Sequence, residues 1–166
     1  MILVTLLFGC SGTEQEPKES DWEELMTRNP ELETNQEEIP EDILDKIKIP
    51  AYTTIPFQVE SVQITPLPTS IKDKDPLLID IVFIGEQDVL HVSNLFTKAY
   101  DTVTAQETVK LSNGIKAKWD EQGDANVISW HDSEDNVDIV LMIPPYKGEK
   151  KNYTLKDFLK MANSVN

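Results

Sequence analysis

Between Leu77 and Ile84 the chain reads LLIDIVFI, apolar at every position but Asp80. A run of this length, opened by Asp75-Pro76 and followed by Gly85, predicts a central strand covered on both faces. Asp88 to Leu95 (DVLHVSNL) follows through Gly85-Glu86-Gln87 as its hairpin partner. Upstream, Pro56, Pro66 and Pro68 bracket a strand over Phe57 to Ile64. Its apolar residues, Phe57 and Val59 and then Val62 and Ile64, change phase near Glu60-Ser61, where a bulge is expected.

Two later hairpins can be tested by register. In ETVKLSNGIKAKW, Glu107 to Trp119, a two-residue Asn113-Gly114 loop would set Leu111 opposite Lys116. A loop of Ser112-Asn113-Gly114 instead pairs Leu111 with Ile115 and Val109 with Ala117, gathers one apolar face, and puts Gly114 in the left-handed position. The second arrangement is the one expected. From Asn126 to Ile143, a loop of Asp132 to Asp135 would pair Trp130 with Val137 and Ile128 with Ile139. Trp119 and Trp130 are then core or sheet-face anchors.

Two helices flank these strands. Glu41 to Ile49 (EDILDKIKI) suits two turns, with Ile43, Leu44 and Ile47 on one face and Pro50 as the stop. After Pro144-Pro145, Thr154 opens a C-terminal helix with Asp157 as a capping-box partner and Leu155, Phe158, Leu159, Ala162 and Val165 as its apolar stripe. Strands followed by one amphipathic helix predict an α+β fold: an antiparallel sheet of about five to six strands with that helix packed on one face.

The amino terminus carries a different signal. Met1 to Phe8 reads MILVTLLF and leads into Gly9-Cys10-Ser11-Gly12. Eight apolar residues cannot span a bilayer as a helix, which takes about twenty, but they suit a signal-peptide core. Leu7-Phe8-Gly9-Cys10 resembles the lipobox of bacterial lipoproteins, with Leu three positions before Cys and a small residue directly before it. The resemblance implies diacylglyceryl transfer to the Cys10 thiol and cleavage after Gly9. Phe8 is bulkier than the usual residue, and no Lys or Arg precedes the apolar run, which points to a start codon further upstream and a truncated leader. Cys10 is the only cysteine, so the chain has no internal disulfide and no cysteine-built zinc site.

Negative charge gathers just behind Cys10. Ser11 to Asp45 holds thirteen acidic and two basic residues, a net charge of −11, against −4 for the rest of the chain. This balance excludes nucleic acid as a partner, since phosphates need clustered Lys and Arg, and it disfavours electrostatic attachment to anionic lipid. Up to Glu38 the only large apolar side chains are Trp22, Leu25, Met26 and Leu32. The segment reads as a disordered tether with an average reach of roughly 30 Å. Trp22, Leu25 and Met26 stand at helical spacing behind Ser20, which suggests a short transient helix, or less plainly a peptide that docks onto a partner. The expected organisation is a signal peptide over 1–9, a lipidated cysteine and acidic tether over 10–38, and a β-rich domain over 39–166.

Three motifs in sequence order carry a resemblance: NGIKAKW, then ISW with its acidic turn and alternating strand, then YTLKDFLKMANSV. They resemble a bacterial domain family of unknown function, found in lipoproteins and in the extracytoplasmic parts of anti-sigma-factor-like membrane proteins, mostly of Gram-positive spore formers. The resemblance spans Val109 to Val165. It implies location and fold, and no activity.

No catalytic constellation stands out. His91 and His131 lie on or beside strands, without ligand-type neighbours at metal spacing. Asp132, Glu134, Asp135 and Asp138 crowd one hairpin but lack the ligand spacing of an EF-hand, so a solvated acidic turn is the plainer reading and no metal or cofactor is expected. No Ser sits in a Gly-x-Ser-x-Gly elbow, and six glycines form no phosphate loop. The leading expectation is a lipid-anchored binding or sensing module on the outer face of the cell membrane, with a membrane protein or wall polymer as partner. The alternatives are an enzyme acting on cell-wall material and an export or assembly chaperone.

Overall fold

Alternating side chains along seven antiparallel strands divide the domain into a buried layer and an outward layer. The computed structural model describes residues 21–32, 39–68, 77–96, 107–121, 124–147, 149 and 152–165. The strands are β1 (Ser61–Pro68), β2 (Leu77–Ile84), β3 (Val89–Leu95), β4 (Glu107–Lys110), β5 (Lys116–Asp120), β6 (Asn126–Asp132) and β7 (Val137–Ile143). They form one sheet in the order β1-β2-β3-β7-β6-β5-β4. Two meanders therefore meet where β3 pairs with β7. The α+β plan stands, with seven strands where five to six were expected. β4 is a four-residue edge strand held by one neighbour.

The inner face carries Ile79, Ile81 and Phe83 of β2, Leu90 and Val92 of β3, Ile128 of β6, and Ile139 and Leu141 of β7, all with no exposed surface. Helix α3 (Leu155–Ala162) closes over this face, with Phe158, Met161 and Ala162 buried and the Phe158 ring 5.0 Å from that of Trp119. Thr154 caps α3 as its spacing predicts. Its backbone N–H and its hydroxyl both donate to Asp157, at 2.9 and 2.8 Å. The expected stripe lacked Met161, and the helix ends before Val165.

Helix α1 (Asp21–Arg28) and the 3₁₀ turn Pro30–Leu32 occupy residues expected to lie in a disordered tether. Leu25 is wholly buried and Leu32 is 2% exposed, both within the main core. The Asn29 amide donates to the Tyr52 hydroxyl at 2.6 Å, and the Arg28 guanidinium lies 4.9 Å above the Tyr52 ring. Burying a leucine and stacking on Tyr52 offset an ordering cost that local composition alone would not. The rest of the expected tether and the signal peptide fall outside the described residues.

Glu41 to Ile49 also departs from expectation. Only one helical turn forms, α2 (Glu41–Leu44). Ile47 and Ile49 are then buried on either side of Lys48 in strand-like alternation. The cause is tertiary: the Lys48 N–H donates to the Asn94 side-chain oxygen at 2.7 Å, and the Asn94 amide donates back to the Lys48 carbonyl at 2.9 Å. A buried side chain thus supplies the backbone partner that a strand would have supplied.

β1 starts at Ser61 rather than Phe57. The Glu60 N–H bonds to the carbonyl of Ile84, which pairs with Ser61, so two residues oppose one where the apolar phase changes. The β4–β5 hairpin has the expected register: Val109 faces Ala117, the Leu111 N–H donates to the Ile115 carbonyl, and Gly114 has φ +91°. The β6–β7 hairpin is shifted. Trp130 faces Ile139 and Asp132 faces Val137, so the turn is Ser133 to Asn136, with Asn136 left-handed at φ 53°. A two-residue shift keeps every side chain on its expected face.

Candidate functional site on the outer sheet face

Because the strand period is two, the residues between the core positions all point to the opposite face. On β2 these are Leu78, Asp80, Val82 and Ile84, each part-exposed and none within the buried core cluster. Coverage of Leu77–Ile84 on both faces is therefore not met among the described residues. Val127, Val140 and Met142 continue this part-exposed apolar surface on β6 and β7.

Two His–Asp pairs lie on this face. The His91 Nδ1 is 2.9 Å from one Asp80 oxygen, and the Ser93 hydroxyl donates to the other at 2.8 Å. Burial would raise the Asp80 pKa, but the bonds from His91 and Ser93 and the charge of His91 together hold it below the usual carboxylate value. Asp80 stands between Ser and His, whereas a nucleophilic triad needs His between acid and Ser. The arrangement holds a carboxylate ionised in the middle of a sheet face and activates no hydroxyl. On β6 and β7, His131 faces Asp138 across the ladder with Nδ1 2.8 Å from a carboxylate oxygen.

The acidic hairpin is part-exposed, with Ser133, Glu134 and Asn136 open to solvent, and it holds a cation of the chain itself. The Lys48 ammonium lies 2.6 Å from Asp135 and 3.8 Å from Asp132, while Asp138 is taken by His131. Among the described residues no group of three or more His, Cys, Asp or Glu could hold a metal ion. At the other end of the sheet, Tyr153 clasps the entry to α3: its backbone carbonyl accepts from the Asn126 amide at 2.7 Å. Burial, and then a hydrogen bond to Asp88, push the Tyr153 hydroxyl up to about 12.

Cys10, the one site residue the sequence nominated, lies outside the described residues. Sequence reading placed both histidines on strands without finding either carboxylate partner. Those partners sit across the ladder, Asp80 on β2 from His91 and Asp138 directly opposite His131, and only a correct register reveals them. No helix among the described residues is long and apolar enough to cross a membrane. No protein-family model matches this sequence, and comparison with curated proteins and with solved structures likewise finds no match.

Proposed function

We propose that this chain is an extracytoplasmic lipoprotein, anchored through lipid on Cys10, whose domain serves as a binding or sensing module at the outer face of the cell membrane. The lipobox-like Leu7-Phe8-Gly9-Cys10 supports the address. The family resemblance rests on the sequence motifs alone and points the same way. The observation that carries the binding role is the outer sheet face, where part-exposed Leu78, Val82, Val127, Val140 and Met142 surround an ionised Asp80. The inner face is filled by α3 and the amino-terminal segment, which favours the outer face over an internal groove as the working surface.

Docking of α1 alters the geometry of the anchor. From Cys10 to Asp21 is eleven residues, a span of at most about 40 Å. The greatest separation of domain and lipid would then be well below the roughly 100 Å that 28 extended residues could reach.

Radiolabelled palmitate tests the anchor: label on the wild type and none on Cys10→Ser is expected, and equal labelling of both rejects it. Crosslinking in cells followed by capture of the chain tests the module, and recovery of no specific crosslinked species counts against it.

A further inference from the structure

The loop that turns β4 into β5 combines an asparagine side chain, an open backbone nitrogen and exposure to water. Ser112, Asn113 and Gly114 are all exposed. Gly114 has φ +91°, and with no side chain it leaves its own backbone nitrogen unshielded. The Ile115 N–H donates to the Asn113 side-chain oxygen at 3.1 Å. That bond folds the carboxamide back along the chain past Gly114 and draws electron density from its carbon.

We propose that Asn113 is a site of spontaneous deamidation, and that its isoaspartate product loosens the β4 edge of the sheet. The Gly114 nitrogen, having lost its proton to hydroxide, attacks the Asn113 carboxamide carbon. A new carbon–nitrogen bond closes a five-membered imide ring, and the bond to Nδ2 breaks. Nδ2 leaves as ammonia, taking its third proton from water. Water then adds to one of the two ring carbonyls. Breaking the ring nitrogen's bond to the side-chain carbon gives aspartate; breaking its bond to the main-chain carbon gives isoaspartate.

The other described asparagines lack this combination. Asn29, Asn94 and Asn126 are buried, and Asn29 precedes Pro30, which has no N–H. Asn136 precedes Val137 and Asn152 precedes Tyr153, whose side chains crowd the attacking nitrogen. Asn163 directs its oxygen away from its own stretch of chain, onto the Ser112 N–H at 2.7 Å. One bond opposes the step at Asn113: the Gly114 N–H donates to the Leu111 carbonyl at 2.9 Å. It slows the attack in the folded chain relative to an unfolded one.

The two products differ in what they do to the fold. Aspartate keeps an oxygen for the Ile115 N–H and adds only a charge. Isoaspartate threads the main chain through the side-chain carbons, so the loop gains an extra backbone atom. The ends of that loop are fixed by the Leu111 N–H, which donates to the Ile115 carbonyl at 2.9 Å. Its middle is tied to the end of α3 by the Ser112 contact with Asn163. β4 has β5 as its one paired neighbour, so strain in this loop opens the edge strand first.

The test ages the full chain at 37 °C and pH 8 and follows it by tryptic peptide mapping. The peptide from Leu111 to Lys116 should gain one mass unit and split into two products, one of which isoaspartyl methyltransferase labels. Its rate should rise in proportion to hydroxide, exceed that at Asn136, Asn152 and Asn163 in the same digest, and increase in guanidinium. Asn113→Gln, whose ring would need six members, should stay unconverted. Ion exchange separates the aged chain by its added negative charge. That chain should melt several degrees below Asn113→Asp, which carries the same charge on an ordinary backbone, and proteases should cut it sooner in β4. No conversion in the folded chain, faster conversion at another of these asparagines, or an aged chain as stable as Asn113→Asp would overturn the proposal.

Discussion

The Asn94 carboxamide pairs with both backbone groups of Lys48, accepting from its N–H at 2.7 Å and donating to its carbonyl at 2.9 Å, from a position with no exposed surface. Asn94 therefore substitutes for a neighbouring strand and holds the segment that carries Ile47 and Ile49 into the core. Asn94→Leu leaves both Lys48 groups without that partner and should cost about 2–4 kcal/mol. Asn94→Asp keeps the acceptor but turns the donor into a second acceptor against the Lys48 carbonyl at a fully buried site, and should cost at least as much. Urea unfolding followed by tryptophan fluorescence measures both, and an unchanged midpoint for Asn94→Leu would refute this role.

Leu25 separates an ordered amino-terminal helix from a loose tether. Its side chain is fully buried in the core, so Leu25→Ala should cost about 2–5 kcal/mol. Truncating an apolar residue in a disordered segment costs almost nothing. A change under about 0.5 kcal/mol would return Asp21–Arg28 to the tether.

Asp80 gives the outer face a pH signature. Its folded-state pKa lies below the value of a free aspartate, so its ionisation stabilises the fold above about pH 4. That contribution is lost as pH falls through the lowered folded value. Asp80→Asn should cost about 1–2 kcal/mol at neutral pH. The gap between wild type and variant should close as the pH is taken below 4. A gap that stays constant from pH 7 to pH 3 would mean that the His91 and Ser93 contacts do not hold the charged form.

The acidic β6–β7 turn already has its cation, the ammonium of Lys48. Lys48→Met should destabilise by about 1–3 kcal/mol, because it leaves Asp132 and Asp135 facing each other with less compensation. Millimolar calcium should leave the wild-type Tm in place. A rise of several degrees with calcium would show that the carboxylates prefer a divalent ion to the lysine.

Legibility followed how local each determinant is. The β4–β5 register could be read because Gly114 admits a left-handed turn and one pairing alone gathers Leu111, Val109 and Ala117 on one face. The β6–β7 register slipped by two because Asp132 to Asn136 offers several polar turns, and an even slip leaves the apolar pattern intact. Thr154 and Asp157 lie three residues apart and announce their helix directly. By contrast, α1 depends on Tyr52, the extended path around Lys48 on Asn94, and both His–Asp pairs on ladder neighbours. None of these partners lies within a turn of the residue it orders, so periodicity could not supply them.

The first strand of the sheet has its own consequence. β1 is an edge, and it carries Pro66 and Pro68, which have no N–H to offer to an incoming strand. At those positions the ladder cannot be extended, so this border resists the strand-by-strand growth that turns a crowded β-protein into a fibre. The domain can therefore be crowded at high local concentration without this edge seeding an endless sheet.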